Sequence, residues 1–524
     1  MPEDTSPKTH LMVSMPGISR DGTQLSQKTY LDGEWCRWYQ KLPRKIRGYR
    51  EQLRNVEGIV RALDSFSDDG FSYVHSASGD AIQRYSIQNS TGLNSGLVDR
   101  TPAGYAPNPL YNWQFSQMFS VADTTTNIFA SGTPNAEEIS TELETPVYYG
   151  DILATAPLVA IPNQASGAPT VSSGGVVASG PFLFLYGHDG VVKWSMPGNP
   201  LDFEGVGSGD ARPVADKIVR GMPLRGQTGP AVVLWSLSAV IVGNYVGGAT
   251  VFDFTTITTS GSVLSSNGFV EHAGIYYWAT SSGFAIFNGV VRDLPNEENK
   301  QWFLDNLNFA QRQKVFAFKI PRWNEIWWCF PKGSATECDH AVIFNYKDGF
   351  WYDTPLPNGG RSAGTYEMIF NYPIMAGIVA NEDTSGGYSM WQHEFGFDEV
   401  SGAVASSKAI RSFYRTHEFN VVAAPAGQTG IDRSLSYGLL EPDFDQVGDI
   451  MFTAISRANA RANEIVMSTV TIPEVPPASG NQLAKFRKAG RLTSFIIESN
   501  ARGGNFITGS PVLHVQAGDG RRED

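Results

Sequence analysis

The sequence predicts an all-β protein, a six- or seven-bladed β-propeller that carries an N-terminal arm, an inserted segment and a small C-terminal β domain. Glycine (54 residues) and proline (30 residues) punctuate the 524-residue chain, as is typical of many short strands joined by tight turns. The hydrophobic fraction of 41% supplies enough apolar material for a large interior. A hairpin-like pattern also recurs through the middle of the chain, and this repeat predicts the propeller.

Each copy of the repeat consists of a run of β-branched and aromatic residues, a turn rich in glycine, aspartate or serine, and a second such run. This is the pattern of a β-hairpin. The clearest copies are FSYVHSASGDAIQRYSI from Phe71 and FLFLYGHDGVVKWSM from Phe182; further copies begin at Phe115, Val232, Ile275, Ile326 and Ile374. From Phe182 onward they begin about 40–50 residues apart, the length of one four-stranded blade. They give six or seven blades, although a β-sandwich with a similar number of strands is an alternative.

Breaks in this pattern divide the chain into three parts. Residues 1–50 are polar and predict an extended arm, residues 51–399 contain the repeats of the propeller, and residues 400–524 contain the alternating strands of a C-terminal β domain. Within the propeller, residues 133–178 are poor in aromatic residues and rich in alanine, proline, serine and glycine, which predicts an insertion between two blades.

A basic cluster, LPRKIRGYR, ends the N-terminal arm at residues 42–50, and its cations are Arg44, Lys45, Arg47 and Arg50. A solvated surface is the plainer interpretation of these charges. The more specific interpretation, which we adopt as the prediction, is that these residues contact an acidic partner subunit. The net charge of −12 disfavours a clamp on DNA, since gripping phosphates requires Lys and Arg on the gripping face. A duplex that slides past is compatible with this charge, as is a mildly acidic surface that aids solubility.

Composition narrows the class of protein further. The sequence has no run of about 18 apolar residues, so no membrane-spanning helix is predicted. The N-terminal residues lack the apolar core of a secretory signal. Cys36, Cys329 and Cys338 are too few for a disulfide framework, and we expect reduced thiols.

No catalytic motif stands out in the sequence. GxSxG, P-loop, HExxH and CxxC patterns are missing, so we predict a protein that is not an enzyme, with no catalytic residues, cofactor or metal site. Trp323, Trp327 and Trp328 could form a sugar-stacking platform. We instead favour packing, because the strand around Trp327 and Trp328 is apolar on both of its faces and should be central and buried.

Several stretches together resemble the packaged-DNA-stabilisation, or tail nozzle, proteins of short-tailed bacteriophages. They are YVGGATVFDF (245–254), LPNEENKQWFLDNLN (294–308), PRWNEIWWCFP (321–331), ATECDHAVIFNYKDGFWYDT (335–354), LPNGGRSAG (356–364) and MWQHEFGFDE (390–399). RDGTQLSQKTYLDGEWCRW near the N-terminus and LEPDFDQVGDIMF, SRANAR and GDGRR near the C-terminus match in style. The resemblance covers most of the chain and rests on the ordered set rather than on a single motif.

This resemblance implies a structural virion protein of the phage tail, made in the host bacterial cytoplasm. It implies a homo-oligomer, a hexameric ring, that lies below the portal and adaptor proteins as part of the head-to-tail connector. Such a ring continues the DNA channel, helps to retain packaged DNA until ejection, lets the DNA pass without specific binding, and docks tail needle, spike or fibre proteins. Two other classes stay open: a carbohydrate-binding or carbohydrate-cleaving β-propeller, and a propeller scaffold for cellular protein partners.

Overall fold

The structure is a computed structural model that describes most of the chain. The described residues are 8–12, 14–23, 28–109, 112–133, 146–162, 173–381, 386–402, 406–418, 435–475, 483–486 and 492–517. Strands make up 55% and helices 4% of these described residues. The prediction of an all-β protein is therefore confirmed.

Short strands form the N-terminal part of the chain. They are β1 (Lys8–Leu11), β2 (Met15–Ile18), β3 (Thr29–Tyr30), β4 (Asp32–Glu34), β5 (Cys36–Tyr39), β6 (Leu42–Lys45) and β7 (Tyr49–Val56). β2 and β3 pair in parallel, and β5 and β6 form an antiparallel hairpin.

Six antiparallel sheets follow, each made of four consecutive strands. The first contains β8 (Val60–Asp68), β9 (Phe71–Ser78), β10 (Ile82–Gln88) and β11 (Asn94–Asp99); the second, β12 (Asn112–Ser120), β13 (Thr125–Thr133), β14 (Val147–Asp151) and β15 (Val159–Ala160). The third contains β16 (Gly175–Ser179), β17 (Phe182–Tyr186), β18 (Val192–Trp194) and β19 (Gly209–Ala211); the fourth, β20 (Ile218–Pro223), β21 (Ala231–Ser236), β22 (Val240–Tyr245) and β23 (Phe252–Thr258). The fifth contains β24 (Phe269–His272), β25 (Ile275–Thr280), β26 (Gly283–Phe287) and β27 (Val291–Asp293); the sixth, β28 (Phe316–Ile320), β29 (Glu325–Phe330), β30 (His340–Asn345) and β31 (Phe350–Pro355).

A short helix, α1 (Lys300–Asn306), lies between the fifth and sixth sheets, and 3₁₀ turns occupy His188–Gly190, Phe309–Lys314 and Pro321–Trp323. The carboxylate of Asp21 accepts hydrogen bonds from the backbone N–H groups of Gln301 and Trp302, each at 2.8 Å. These N–H groups belong to the first turn of the helix, where no intrahelical acceptor is available to them. The N-terminal segment is thereby attached to the helix.

The next sheet takes its strands from both sides of this series. β32 (Arg361–Glu367), β33 (Tyr372–Gly377) and β34 (Tyr388–His393) are consecutive, and β7 from the N-terminal part pairs antiparallel with β34. Leu53 of β7 lies opposite Met390. β35 (Asp398–Ser401) and β36 (Ser406–Ala409) extend this sheet to six strands. We call the sheets formed by β7–β34 the sheet array.

The remaining strands combine the two ends of the chain. They are β37 (Ser412–Arg415), β38 (Leu435–Glu441), β39 (Phe444–Val447), β40 (Ile450–Arg457), β41 (Ile465–Ile472), β42 (Ala484–Phe486), β43 (Leu492–Ser499), β44 (Asn505–Thr508) and β45 (Val512–Ala517). β45 pairs with β1, β37 with β4, and β44 with β6. We call β1–β6 together with β37–β45 the terminal unit.

Apolar clusters join neighbouring sheets of the array. Between the fourth and fifth sheets, Trp235 packs on Trp278 with ring centroids 5.7 Å apart. Between the fifth and sixth, Phe284 packs on Trp328 at 4.8 Å. One cluster also joins the first sheet, with Val74, to the last one, with Ile374 and Met390. Many small four-stranded sheets packed in this way are compatible with a propeller-like fold.

The hairpin predictions agree with the observed strands. The copies that begin at Phe71, Phe182, Val232, Ile275 and Ile326 coincide with β9, β17, β21, β25 and β29, each the second strand of its sheet. Second strands lie between two neighbours and are packed on both faces, which explains their continuous apolar runs. The copy at Ile374 likewise falls on β33, between β32 and β34, whereas the copy at Phe115 begins in β12, the first strand of its sheet. The repeat therefore marks the middle of a sheet in every copy except the one at Phe115.

Two predicted boundaries differ from the structure. Part of the predicted insertion at 133–178 forms β14 and β15, the third and fourth strands of the second sheet, and most of β16 of the third sheet, while residues 134–145 and 163–172 lie outside the described residues. The predicted arm (1–50) and the predicted C-terminal domain (400–524) share sheets instead of forming separate parts. Their apolar residues explain this difference, since Ile18 and Trp38 of the first are buried in one cluster with Phe495 of the second.

The buried central strand is confirmed. β29 pairs with β28 on one side and with β30 on the other, and all six of its residues are buried. Trp328 points into the cluster shared with the fifth sheet, whereas Trp327 points into the cluster shared with the terminal unit. The alternation along the strand therefore fills two separate interfaces.

Candidate functional site

The cations of the predicted docking cluster lie on β6, on β7 and in the segment between them. Lys45 is only 2% exposed, and its Nζ donates a hydrogen bond of 2.7 Å to the carbonyl oxygen of Ile410. Burial lowers the pKa of the Lys45 ammonium to about 8. The Lys45 ammonium is thus used within the chain itself. The three arginines are therefore the remaining candidates for a partner contact.

Each of the three arginines is half-buried and lies over an aromatic ring. The guanidinium carbon of Arg44 is 5.2 Å from the ring centroid of Tyr39, and that of Arg47 is 5.7 Å from that of Phe397. Arg50 lies 4.2 Å from the ring of Phe395. Cation–π contacts of this kind hold the arginines in place but leave part of each guanidinium at the surface. The three arginines of the predicted cluster therefore contact three different aromatic rings rather than one common partner.

Arg50 is the most firmly held of the three. Its Nε donates a hydrogen bond of 2.6 Å to Oε1 of Gln392, and its Nη2 donates one of 3.2 Å to the carbonyl oxygen of Gly92. These bonds connect β7 to β34 and to the turn between β10 and β11. Burial lowers the pKa of its guanidinium. Substituting Arg50 would therefore disturb the last sheet as well as any docking surface.

A buried ion-pair cluster lies beside this segment, and sequence reasoning missed it. Arg37 of β5 is fully buried, and its guanidinium donates to Glu394 through Nη1 at 2.8 Å and through Nη2 at 2.6 Å. Nη2 also donates to Oε2 of Glu325 at 3.0 Å. Burial by itself lowers the pKa of Arg37, but the two carboxylates outweigh this effect and raise it. Arg37 therefore stays charged and links β5 to the sheet array.

Aromatic donors complete the coordination of both carboxylates. The indole N–H of Trp327 donates to Oε2 of Glu325 at 2.8 Å, and the hydroxyl of Tyr352 donates to Oε1 of the same residue. The indole N–H of Trp323 donates to Oε2 of Glu394 at 2.7 Å. Burial and the neighbouring Glu394 carboxylate raise the pKa of Glu325, and Arg37, Tyr352 and Trp327 counteract that shift.

One signal in the sequence could have revealed this cluster. Arg37 stands within WCRWY and Glu325 within WNEIWW, so each charge is flanked by aromatic residues in a short strand. A charged residue in an apolar strand is rarely buried unless it has a partner. The two charges are 288 positions apart, so the sequence does not show that they form a pair.

The three tryptophans do not form an exposed platform. Trp323 is 8% exposed, Trp327 is 2% exposed and Trp328 is completely buried. Stacking on a sugar requires a ring face that is open to solvent. The hypothesis of a sugar-stacking surface at these residues is therefore wrong, and their burial supports the packing interpretation.

No metal site emerges from the described part of the chain. No three His, Cys, Asp or Glu side chains within it come together as a metal ion would require. Cys36, Cys329 and Cys338 are buried and outside any disulfide, and burial raises the pKa of each thiol. The described residues also include no helix long and apolar enough to cross a membrane.

A cavity of about 130 Å³ lies among the first strands of six sheets. β8, β12, β20, β24, β28 and β32 contribute to its wall. Its polar lining consists of Arg61, Asp64, Gln114, Arg220 and Asn267. Because these residues come from strands far apart in the chain, no local motif could have predicted the cavity.

Comparisons of the sequence with protein-family models and with curated proteins find no match.

Proposed function

We propose that this chain is a structural subunit of the tail of a short-tailed bacteriophage, in which several copies form the nozzle ring below the portal and adaptor proteins. The observation that carries the proposal is the ordered set of sequence stretches that resemble tail nozzle proteins. Four of them, from PRWNEIWWCFP to MWQHEFGFDE, supply strands of the sixth and last sheets of the array, together with the loops that follow them. They also supply Glu325 and Glu394, the partners of Arg37.

We further propose that the sheet array is a closed seven-bladed propeller. Support comes from the six four-stranded sheets in chain order and from the seventh, to which β7 adds the fourth strand. The cluster that joins the first sheet to the last supports a closed circle. Closure would bury the faces of every sheet against neighbours, giving a rigid body suited to a structural role.

In this proposal, DNA passes between copies of the chain rather than through one propeller. The cavity of about 130 Å³ inside the array is far too small for a duplex, whose major groove alone is about 12 Å wide. A hexameric ring would provide the lumen instead. Each copy carries a net charge of −12, and an acidic lumen would repel phosphates and let the DNA slide without specific binding.

The exposed parts of Arg44, Arg47 and Arg50 would dock the adaptor, while other surfaces would meet tail needle, spike or fibre proteins. This assignment places the protein in the virion, with a non-enzymatic role in retaining and ejecting DNA. Lys45 has no part in docking, because its ammonium is buried and donates a hydrogen bond to the carbonyl oxygen of Ile410.

Co-assembly with the adaptor, measured by sedimentation, tests the proposal. We expect the wild type to form a ring complex and the double variant Arg44→Gln, Arg47→Gln to lose it while keeping its fold by circular dichroism. Arg50 is left unchanged in this variant because it also supports the last sheet. The matched control replaces the exposed Arg212 and Arg225 by glutamine and should assemble normally. Failure of the wild type to form any complex would contradict the proposed function.

Duplex binding at two salt concentrations provides a second readout. A clamp that neutralises several phosphates would lose affinity steeply with salt, by about 0.9 log units per phosphate for each tenfold change. We expect weak binding at both concentrations and little difference between the wild type and the double variant Arg44→Gln, Arg47→Gln. Tight, salt-sensitive binding that disappears in the variant would recast the protein as one that holds DNA directly.

A further inference from the structure

The cavity inside the sheet array contains two arginines with different surroundings. Arg61 is neutralised, because its Nη1 and Nη2 donate to the carboxylate of Glu337 at 2.6 and 2.8 Å. Lys314 donates to the same carboxylate at 2.8 Å. Burial raises the pKa of Glu337, but these partners outweigh it and lower that pKa. Arg61 is thus already satisfied and not free to bind anything else.

Arg220 has no such partner. Its Nε is buried, and among the residues that the structure describes no acceptor lies within hydrogen-bond distance of it. Among the described residues its guanidinium forms no ion pair, and the Asp64 carboxylate acts on it only by longer-range attraction. Burial lowers the pKa of Arg220, and Tyr186 and Asp64 oppose this effect only in part, yet a guanidinium keeps its proton in proteins. The cavity wall therefore carries a cation with unused hydrogen-bond donors, which is costly unless something pairs with it.

The neighbouring polar groups are already engaged elsewhere. The side-chain amide of Gln114 donates to the carbonyl oxygens of Gly174 and Val219 at 2.7 and 3.0 Å, and its oxygen accepts from the Tyr186 hydroxyl at 2.8 Å. The carboxylate of Asp64 accepts a hydrogen bond from the Gln117 amide. These groups shape the cavity but leave the donors of Arg220 to an occupant.

We propose that this cavity binds a small oxyanion, such as a carboxylate or a phosphate, through the guanidinium of Arg220. The planar guanidinium can donate two parallel hydrogen bonds to an oxyanion. The volume of about 130 Å³ is ample for such a group, since one water molecule needs only about 10–15 Å³ on the same measure. The proposal is independent of the phage function, because it concerns the interior of one chain.

Asp64 gives this site a dependence on pH. Burial raises the pKa of Asp64 to about 6, against the opposing effects of the Gln117 amide, the Ser65 backbone and Arg220. Above that pH the Asp64 carboxylate repels an incoming anion, and below it the neutral acid does not. Affinity for the anion should therefore increase as the pH falls through about 6.

Calorimetric titration of the full chain with inorganic phosphate and, separately, with acetate tests the proposal. We expect one site per chain for at least one of these anions, and a loss of affinity of at least tenfold in Arg220→Gln. The matched control is Arg212→Gln, which removes an exposed arginine paired with Asp189 at 3.2 Å and should bind like the wild type. Binding of only one anion would identify the preferred oxyanion.

A second variant keeps the test decisive if Arg220→Gln does not fold. Asp64→Asn removes the competing carboxylate and should bind the anion several-fold more tightly at neutral pH. The proposal is overturned if neither anion binds the wild type, if Arg220→Gln binds as well as the wild type, or if Asp64→Asn gains no affinity.

Discussion

Neighbouring sheets within the array are joined by one kind of contact, and the terminal unit is joined to the array by another. Consecutive sheets of the array join through apolar clusters, such as the one around Trp235 and Trp278. The terminal unit joins the array through an interface that adds buried charges to aromatic rings, with Arg37 between Glu325 and Glu394 at its centre. The stability of the terminal-unit interface should therefore depend on its buried charges, whereas the stability of the sheet array should depend on the volume of its buried side chains.

The largest effect is expected where the terminal unit loses its buried charge. Arg37→Met leaves Glu325 and Glu394 buried without their cation, which should lower the free energy of unfolding by about 3–5 kcal/mol. Arg411→Met is the matched control, since Arg411 also lies between two glutamates, Glu34 and Glu498, but is 45% exposed. Surface pairs contribute at most about 1 kcal/mol.

Urea denaturation of both arginine variants measures the difference. Equal losses of stability in Arg37→Met and Arg411→Met would show that burial does not strengthen the Arg37 cluster, and the comparison between the two regions would fail.

A comparable or slightly smaller loss is expected in the sheet array when volume is removed. Trp328→Ala should lower the free energy of unfolding by about 3–5 kcal/mol, because the ring fills the contact between the fifth and sixth sheets. Phe309→Ala serves as a control, since its ring is 54% exposed. A loss below about 1 kcal/mol for Trp328→Ala, measured by denaturation, would mean that the side chain is not buried.

A pH-dependent effect is expected at Lys45. Its pKa is about 8 in the folded chain and 10.5 in the unfolded reference, so between these values the unfolded chain binds more protons. Stability contributed by this residue therefore rises with pH through that window, by up to about 3 kcal/mol.

The measurement compares the wild type with Lys45→Met by denaturation at about pH 7.5 and about pH 10. Relative to Lys45→Met, the wild type should gain unfolding free energy at the higher pH. Titration of all other groups cancels between the two proteins. A difference in unfolding free energy that is the same at both pH values would therefore show that the Lys45 ammonium is not buried.

The smallest effect concerns the close approach of β2 to the sixth sheet. A Cβ added at Gly17 would lie 2.6 Å from the carbonyl oxygen of Trp351, and the φ of Gly17 is +101°. Gly70, with a φ of +80°, has nothing within 4 Å of such a Cβ. Both alanine variants share the backbone strain, so Gly17→Ala should lose about 1–3 kcal/mol more than Gly70→Ala. Thermal unfolding that ranks the two variants equally would contradict the observed contact.

The sequence predicts the sheet array much better than the terminal unit, for a physical reason. Hairpins such as β9–β10 and β25–β26 are formed by residues close together in the chain, and their apolar runs and turns are visible locally. β7 reads YREQLRNV, a polar strand, and its partner β34 lies more than 330 residues further along. Pairings such as β1 with β45 depend on the folded arrangement and leave no local pattern.

The candidate site was predictable only in part, for the same reason. The basic residues from Arg44 to Arg50 are evident in the sequence, but their engagement with Ile410, Gln392 and aromatic rings is not. The Arg37 cluster and the Arg220 cavity each combine strands that are distant in the chain. A buried charge is visible as a lone charged residue in an apolar strand, whereas its partner is visible only in the structure.

Electron cryomicroscopy of the purified full chain, alone and mixed with the adaptor, tests the central claim most directly. The account predicts a ring of six copies with an open lumen wide enough for duplex DNA, lined mainly by acidic side chains, and with the sheet array of each copy intact. Particles that contain single copies under both conditions, or a ring whose lumen is closed by its own subunits or lined by Lys and Arg, would contradict it.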